Sequence, residues 1–249
     1  MKIDFKHIIN KYLENSIEEL QKERLDFLSS ISFTDLVRKQ DPYLYSIQET
    51  QIIYQIIREW INHELLKNEE IIFGAWLKGL AIFINQQVYG GWKSGIKGVD
   101  LEFDKDTIRY IVNIKSSPNW GNSEAIGKMK TNFTTAKKTL RTSNSKMVVM
   151  AINGCCTGTD NKPDKGDYFK YCGQEFWEFI SGNENLYLEI VEPLRHKARE
   201  RNDDFQKLYS QRINKFTKEF CNEFCNENCG IDWRKLVEFN SGRKKEGNT

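Results

Sequence analysis

A chain of 249 residues has the length of one large domain and can bury a sizeable core. Its 37 basic and 35 acidic side chains leave a net charge of +2, too small to announce a polyanion ligand, although a basic cleft can be offset by acidic surface elsewhere. No apolar run approaches the roughly 20 residues that cross a bilayer. The amphipathic, acidic start MKIDFKHIINKYLENSIEEL lacks the apolar core of a signal peptide. These features predict a cytoplasmic protein without membrane contact, whose six cysteines are reduced thiols.

Residues 5–31 place Phe5, Ile8, Ile9, Tyr12, Leu20, Leu25 and Leu28 at helical spacing among charges. Pro42 breaks that pattern. A helix is predicted from about 47 to 66 on Ile52, Ile53, Ile56, Ile57, Trp60 and Ile61. A second, from about 70 to 88, is apolar over much of its circumference and predicts burial. YGGWKSGIKG then reads as a loop by its glycine content. In VDLEFD the period changes to two, with Val99, Leu101 and Phe103 alternating with acids, the mark of a half-buried strand. After the turn DKD, TIRYIVNIK returns as a second strand, so the two predict a hairpin. A loop, SSPNWGNSE, leads through a helix cap at Asn122 or Ser123 into a lysine-rich helix to about 141. KMVVMAING is a third strand, CCTGTDNKPDKGDY a loop, and QEFWEFISG a short aromatic helix. From 185 to about 227 the chain reads as helix, and SGRKKEGNT as a frayed end. This order predicts an α/β core with a small sheet, residues 69–182, within a single domain. Helical extensions, 1–68 and 183–249, flank it.

Within the predicted hairpin, Asn113 and Lys115 share one strand face, and Asp100 can lie across from them. An aspartate and a lysine at the end of paired strands can hold Mg²⁺ and orient or deprotonate a water for attack on a phosphodiester. The carbonyl of Ile114 is a further candidate ligand. Ion pairs between neighbouring strands are also ordinary structural features. The flanking SSPNWGN strengthens the functional reading with an aromatic and several hydrogen-bonding side chains directly after Lys115, and the lysine-rich helix offers its N-terminus to a phosphate.

The segments YGGWKSGIKGVDLEF, YIVNIKSSPNWGNS, AINGCC and YCGQEFWEFISGNENLY resemble the PmeII-like type II restriction endonucleases of the PD-(D/E)XK superfamily. The resemblance extends to DPYL near the start and to FTKEFCNEF and IDWRKLVEFNS near the end. It implies a PD-(D/E)XK restriction-endonuclease-like core and a Mg²⁺-dependent homodimer that cuts both strands of a short palindromic double-stranded DNA site, with GG and CC in its halves. By motif match Asp100 becomes the metal-binding aspartate and Lys115 the catalytic lysine. Asn113 stands where the superfamily pattern has an acid. Ala75 and Lys78 stand in a helix that carries a carboxylate in related sequences. Glu102, predicted to share a strand face with Asp100, and Glu124, at the start of the next helix, are the candidate replacements at the metal. The glycine loop, with Trp92, Lys93, Ser94 and Lys97, and the loop after the strand, with Ser116, Ser117, Asn119, Trp120 and Asn122, are predicted to flank the DNA, while Lys128 and Lys130 meet phosphates.

Two other readings stand beside this one: a catalytically impaired DNA-binding protein on the same fold, and a helical interaction protein whose sheet is only structural. Cys221, Cys225 and Cys229 are spaced to stack on one helical face. Three thiolates can serve Zn²⁺, but packed, reduced thiols are the expectation. His7, His63 and His196 all fall in predicted helices and suggest packing or surface roles.

Overall fold

A computed structural model describes residues 3–48, 52–143, 145–199 and 203–243. The chain opens with α1 (Phe5–Ser30), α2 (Phe33–Arg38), α3 (Pro42–Ser46) and the long α4 (Ile53–Tyr89). The two helices expected near 47–66 and 70–88 are thus one, because LLKNEE between them contains neither proline nor glycine to stop the first. By length and composition α4 contains a stretch apolar enough to cross a membrane, which corrects the expectation that no such run exists. Part of its apolar surface enters the protein cores described below, while Leu66, Ile71 and Phe73 are exposed.

Next come β1 (Trp92–Lys93), β2 (Leu101–Lys105), β3 (Ile108–Lys115), α5 (Ser123–Ser143) and β4 (Val148–Cys155). The last elements are β5 (Phe169–Cys172), α6 (Gln174–Ser181), α7 (Leu186–Glu189), α8 (Val191–Arg199), α9 (Asp203–Phe224) and α10 (Trp233–Ser241). α2, α3, β1, β5 and α10 were not expected; Pro42, read as a break, opens α3 at its first turn. The two strands are short pieces inside loops, too brief for a period to show. Much of the stretch expected to fray, residues 244–249, lies outside the described residues.

The chain divides into two compact units, Met1–Leu20 with Ile72–Glu200, and Gln21–Ile71 with Arg201–Thr249. The division between Ile71 and Ile72 falls inside α4, whose helix is continuous there. In the first unit a five-stranded sheet has the order β1-β2-β3-β4-β5. β1, β2 and β3 are antiparallel, and β3, β4 and β5 parallel. The β2–β3 turn places Asp106 and Thr107 at φ of 51° and 65°, the twist that a two-residue hairpin loop requires. One sheet face packs Leu101, Phe103, Val112, Ile114 and Ile152 against α1, α4 and α6 through Leu13, Leu77, Leu80, Ile84, Phe176 and Ile180. The other packs Ile111, Val149 and Ala151 against the stripe Met129, Phe133 and Ala136 of α5, spaced for one helical face. The second unit is helical, built on Leu28, Leu36, Ile57, Trp60, Phe216, Phe220, Phe224 and Leu236.

Candidate active site

Asp100 stands one residue before β2. Its backbone N–H donates to Val112 O at 2.8 Å, and the pairing of Leu101 with Val112 carries on to set Asp100 opposite Asn113. The carboxylate then folds onto the backbone of β3. Oδ2 accepts from Ile114 N at 2.7 Å and from Asn113 Nδ2 at 3.2 Å. Oδ1 accepts from Lys78 Nζ at 2.9 Å. The approach depends on Gly98, which turns the chain at φ 80°, where a Cβ would fall 2.1 Å from the Asn132 side chain. Its carbonyl accepts a second bond from Asn113 Nδ2, at 3.1 Å. Lys78 arrives on α4, and Gly74 one turn earlier lies so close to the end of β3 that a Cβ there would sit 3.3 Å from Ser116.

Lys115 ends β3, beside Cys155 of β4. Its Nζ lies 4.4 Å from the centre of the Trp120 ring, a cation–π distance. Burial lowers the ammonium's pKa from its ordinary value, and the Lys78 charge lowers it further against the opposing pull of Asp100. Trp120 is held in turn: its indole N–H donates to Asn153 Oδ1 at 3.1 Å. Asn153, in register with Asn113 on β4 and 1% exposed, donates to Asn113 O at 3.3 Å. Asn153 was missed in the sequence because one asparagine in an apolar strand carries no spacing signal. Lys78 was visible only as a departure from a pattern, not as a neighbour of Asp100.

The family model for the type II restriction endonuclease EcoO109I matches residues 7–202, well over half of the chain. The chain belongs to this family. No curated protein matches it. Type II restriction endonucleases are site-specific deoxyribonucleases, and that is the enzyme class of this chain. The match bears out the resemblance to type II restriction endonucleases without singling out the PmeII-like group, and it ends before α9, so the C-terminal strings of the resemblance lie outside it. The mixed α/β architecture agrees with a restriction-endonuclease-like fold.

The EcoO109I-family match gives the arrangement around Asp100 its chemical setting. Asn113 turns its amide nitrogen, not its oxygen, towards the carboxylate. A second acid in that place would put like charges about 3 Å apart, whereas the amide donates and fixes Oδ2. The buried Asn113 Oδ1 has no hydrogen-bond partner. Glu102 pairs with Ile111, two residues along from the position opposite Asp100. Its carboxylate accepts from Ser94 Oγ at 2.7 Å and faces Arg109 at 3.6 Å, so both of its oxygens already have partners. Glu124 is exposed in the first turn of α5. Among the described residues no three His, Cys, Asp or Glu side chains form a metal-holding group. That includes Cys221, Cys225 and Cys229: α9 ends at Phe224, Cys225 bridges to Ile231, and Cys229 takes φ 60°. The three do not stack on one helical face, and Cys221 and Cys229 are exposed rather than packed.

Type II restriction endonucleases generally use Mg²⁺. The residues here fit such a cation at one point. Oδ2 is anchored by two donors, so Oδ1 is the oxygen presented outward, and a positive charge, the Lys78 ammonium, already stands on it. Alternate backbone groups of a strand point the same way, so Ile114, whose N–H meets Asp100, turns its carbonyl to the same edge. The donors are oxygens, as Mg²⁺ requires, with a single carboxylate among them.

Of the side chains expected at DNA, Trp92, Lys93, Lys97, Ser116, Asn119 and Lys128 are exposed. Ser117 is half-buried. Ser94 is tied to Glu102, and Asn122 caps α5 by accepting from Ala125 N at 3.0 Å. Lys130 pairs with Asp167 at 3.5 Å.

Proposed function

We propose that this chain acts as a homodimer on a short palindromic site in double-stranded DNA, hydrolysing one phosphodiester per subunit at Asp100 and Lys115, on a PD-(D/E)XK core of PmeII-like type. The observation that carries this reading is the meeting of Asp100, Asn113 and Lys115 at one end of β2 and β3, inside the family-matched segment. Mg²⁺, held by Asp100 Oδ1 and the Ile114 carbonyl, would supply Lewis acidity and charge neutralisation at the phosphate. Asn113 and the Ile114 N–H hold Oδ2 and so aim Oδ1. Lys115, kept over Trp120 and easier to deprotonate than an exposed lysine, orients the attacking water and takes up its proton. A two-fold dimer presents one such site to each strand. The loops bearing Trp92 and Asn119 flank the duplex, with Lys128 and Lys130 on its phosphates. The protein works in the cytoplasm.

A second reading, DNA binding with impaired cleavage, draws on the Lys78–Asp100 pair and the single carboxylate. Digestion of plasmid or phage DNA with Mg²⁺ separates the two. Discrete fragments, lost in Lys115→Ala while DNA binding persists, support hydrolysis at this site. Salt-sensitive binding without fragments favours the second reading.

A further inference from the structure

Asp100 Oδ1 can serve one cation at a time, and Lys78 holds it at 2.9 Å. This lysine is not a buried structural partner: its side chain is 36% exposed and that of Asp100 21%. A second ammonium, Lys115, ends β3 directly after Ile114, whose N–H holds the other oxygen of Asp100. Two positive groups around one carboxylate leave an excess positive charge facing solvent at the strand end. The complement to that excess is an anion with several oxygens, and on a DNA-cutting protein that anion is a backbone phosphate.

We infer that Lys78 is a DNA-phosphate-binding residue of the cleavage site, and that while DNA is absent it occupies the cation position on Asp100 and so competes with a divalent metal. The inference rests on the reading of Asp100 as the metal-binding carboxylate. When a phosphate docks, Lys78 gains a partner other than Asp100, and Oδ1 is released. Metal affinity and DNA affinity are then coupled through one side chain, and such coupling is reciprocal. No bond is made or broken in this exchange. One ammonium moves from a carboxylate to a phosphate.

The test uses the full chain and Mn²⁺, which takes the same oxygen ligands and whose free concentration is read by electron paramagnetic resonance. Lys78→Met should bind Mn²⁺ about tenfold more tightly than the parent in the absence of DNA, within the range that coupled sites show. Lys78→Arg, which keeps the charge on Asp100, should stay with the parent and also exposes any general loss of fold at this position. The gain should vanish in Lys78→Met with Asp100→Asn. In a separate arm with EDTA, duplex DNA binding by Lys78→Met should lose about one unit of salt slope. Equal Mn²⁺ affinity of parent and Lys78→Met, or an unchanged salt slope, overturns the inference. A Mn²⁺ gain that survives Asp100→Asn overturns instead the reading of Asp100 as the metal carboxylate, so the two failures are distinct.

Discussion

Replacing Asn153 by leucine tests whether the reacting lysine is positioned from two residues away. Leucine keeps the branched shape and removes both polar atoms, so no cavity opens. Three contacts are lost: the Trp120 N–H loses its acceptor at 3.1 Å, Asn113 O loses a long, weaker donor at 3.3 Å, and the Cys155 thiol loses a weak acceptor at 4.0 Å. A buried donor left unpaired costs about 1–3 kcal/mol. Trp120 is only half-buried, so water can reach part of the way, and a loss of about 1–2 kcal/mol is expected in urea unfolding followed by circular dichroism. The freed ring then holds Lys115 less well. A cation–π contact at a partly exposed site is worth about 0.5–1 kcal/mol, or a two- to fivefold slower single-turnover cleavage at about 1.4 kcal/mol per decade. Trp120→Phe removes the same N–H and keeps a ring for Lys115, so it should lose stability and keep most of the rate. The double variant should be no less stable than the worse single one, since both break one bond. An Asn153→Leu protein within about 0.5 kcal/mol of the parent, cutting at the parent rate, would refute the relay.

Phe103 is fully buried and touches the rings of Tyr89, Tyr110 and Phe179, so Phe103→Ala should cost about 3–5 kcal/mol in urea unfolding. A cost under 1 kcal/mol would mean the sheet core is not packed as described. Lys128→Ala should reduce the salt slope of DNA binding by about one unit and weaken all sequences alike, and an unchanged slope would place it on a plain solvated face. Glu64 in the helical unit is subject to burial, which raises its pKa, but the hydrogen bonds and charges of Lys39 and Lys67 outweigh this and hold it below the ordinary value. Its pairing therefore stabilises the protein above the ordinary glutamate pKa and is lost as pH falls through the lowered one. Glu64→Gln should accordingly be less stable than the parent near neutral pH, with the gap closing below about pH 4. A gap that stays constant on acidification would show that the carboxylate's charge is not what Lys39 and Lys67 recognise.

The parts of this fold that were legible in the sequence are those written in a period. The alternation through Leu101 and Phe103 located β2, the apolar run before Asn113 located β3, and DKD predicted their hairpin, all of which form. The unexpected strands had too little length for a period: Trp92–Lys93 and Phe169–Cys172 join the sheet through neighbours distant in sequence. The same limit governs the site. Asp100 and Asn113 could be paired in advance, because a hairpin register relates them residue by residue. Glu102 follows the same alternation, but its carboxylate is taken by Ser94 and Arg109, which the period alone does not reveal. Nothing local relates Lys78 on α4 to Asp100, or Asn153 on β4 to Trp120. Each depends on how a helix or a parallel strand is brought to the hairpin, through close approaches such as Gly74 to Ser116. Asn113 shows what the tertiary step adds. As a letter it is an acid replaced by an amide, and it reads as a loss. In place, with Gly98 O and Asp100 Oδ2 both accepting from its nitrogen, it is the donor that lets a single carboxylate stand there in a fixed orientation. An acid at that position would need a bound cation or a shared proton to keep the two carboxyl groups together.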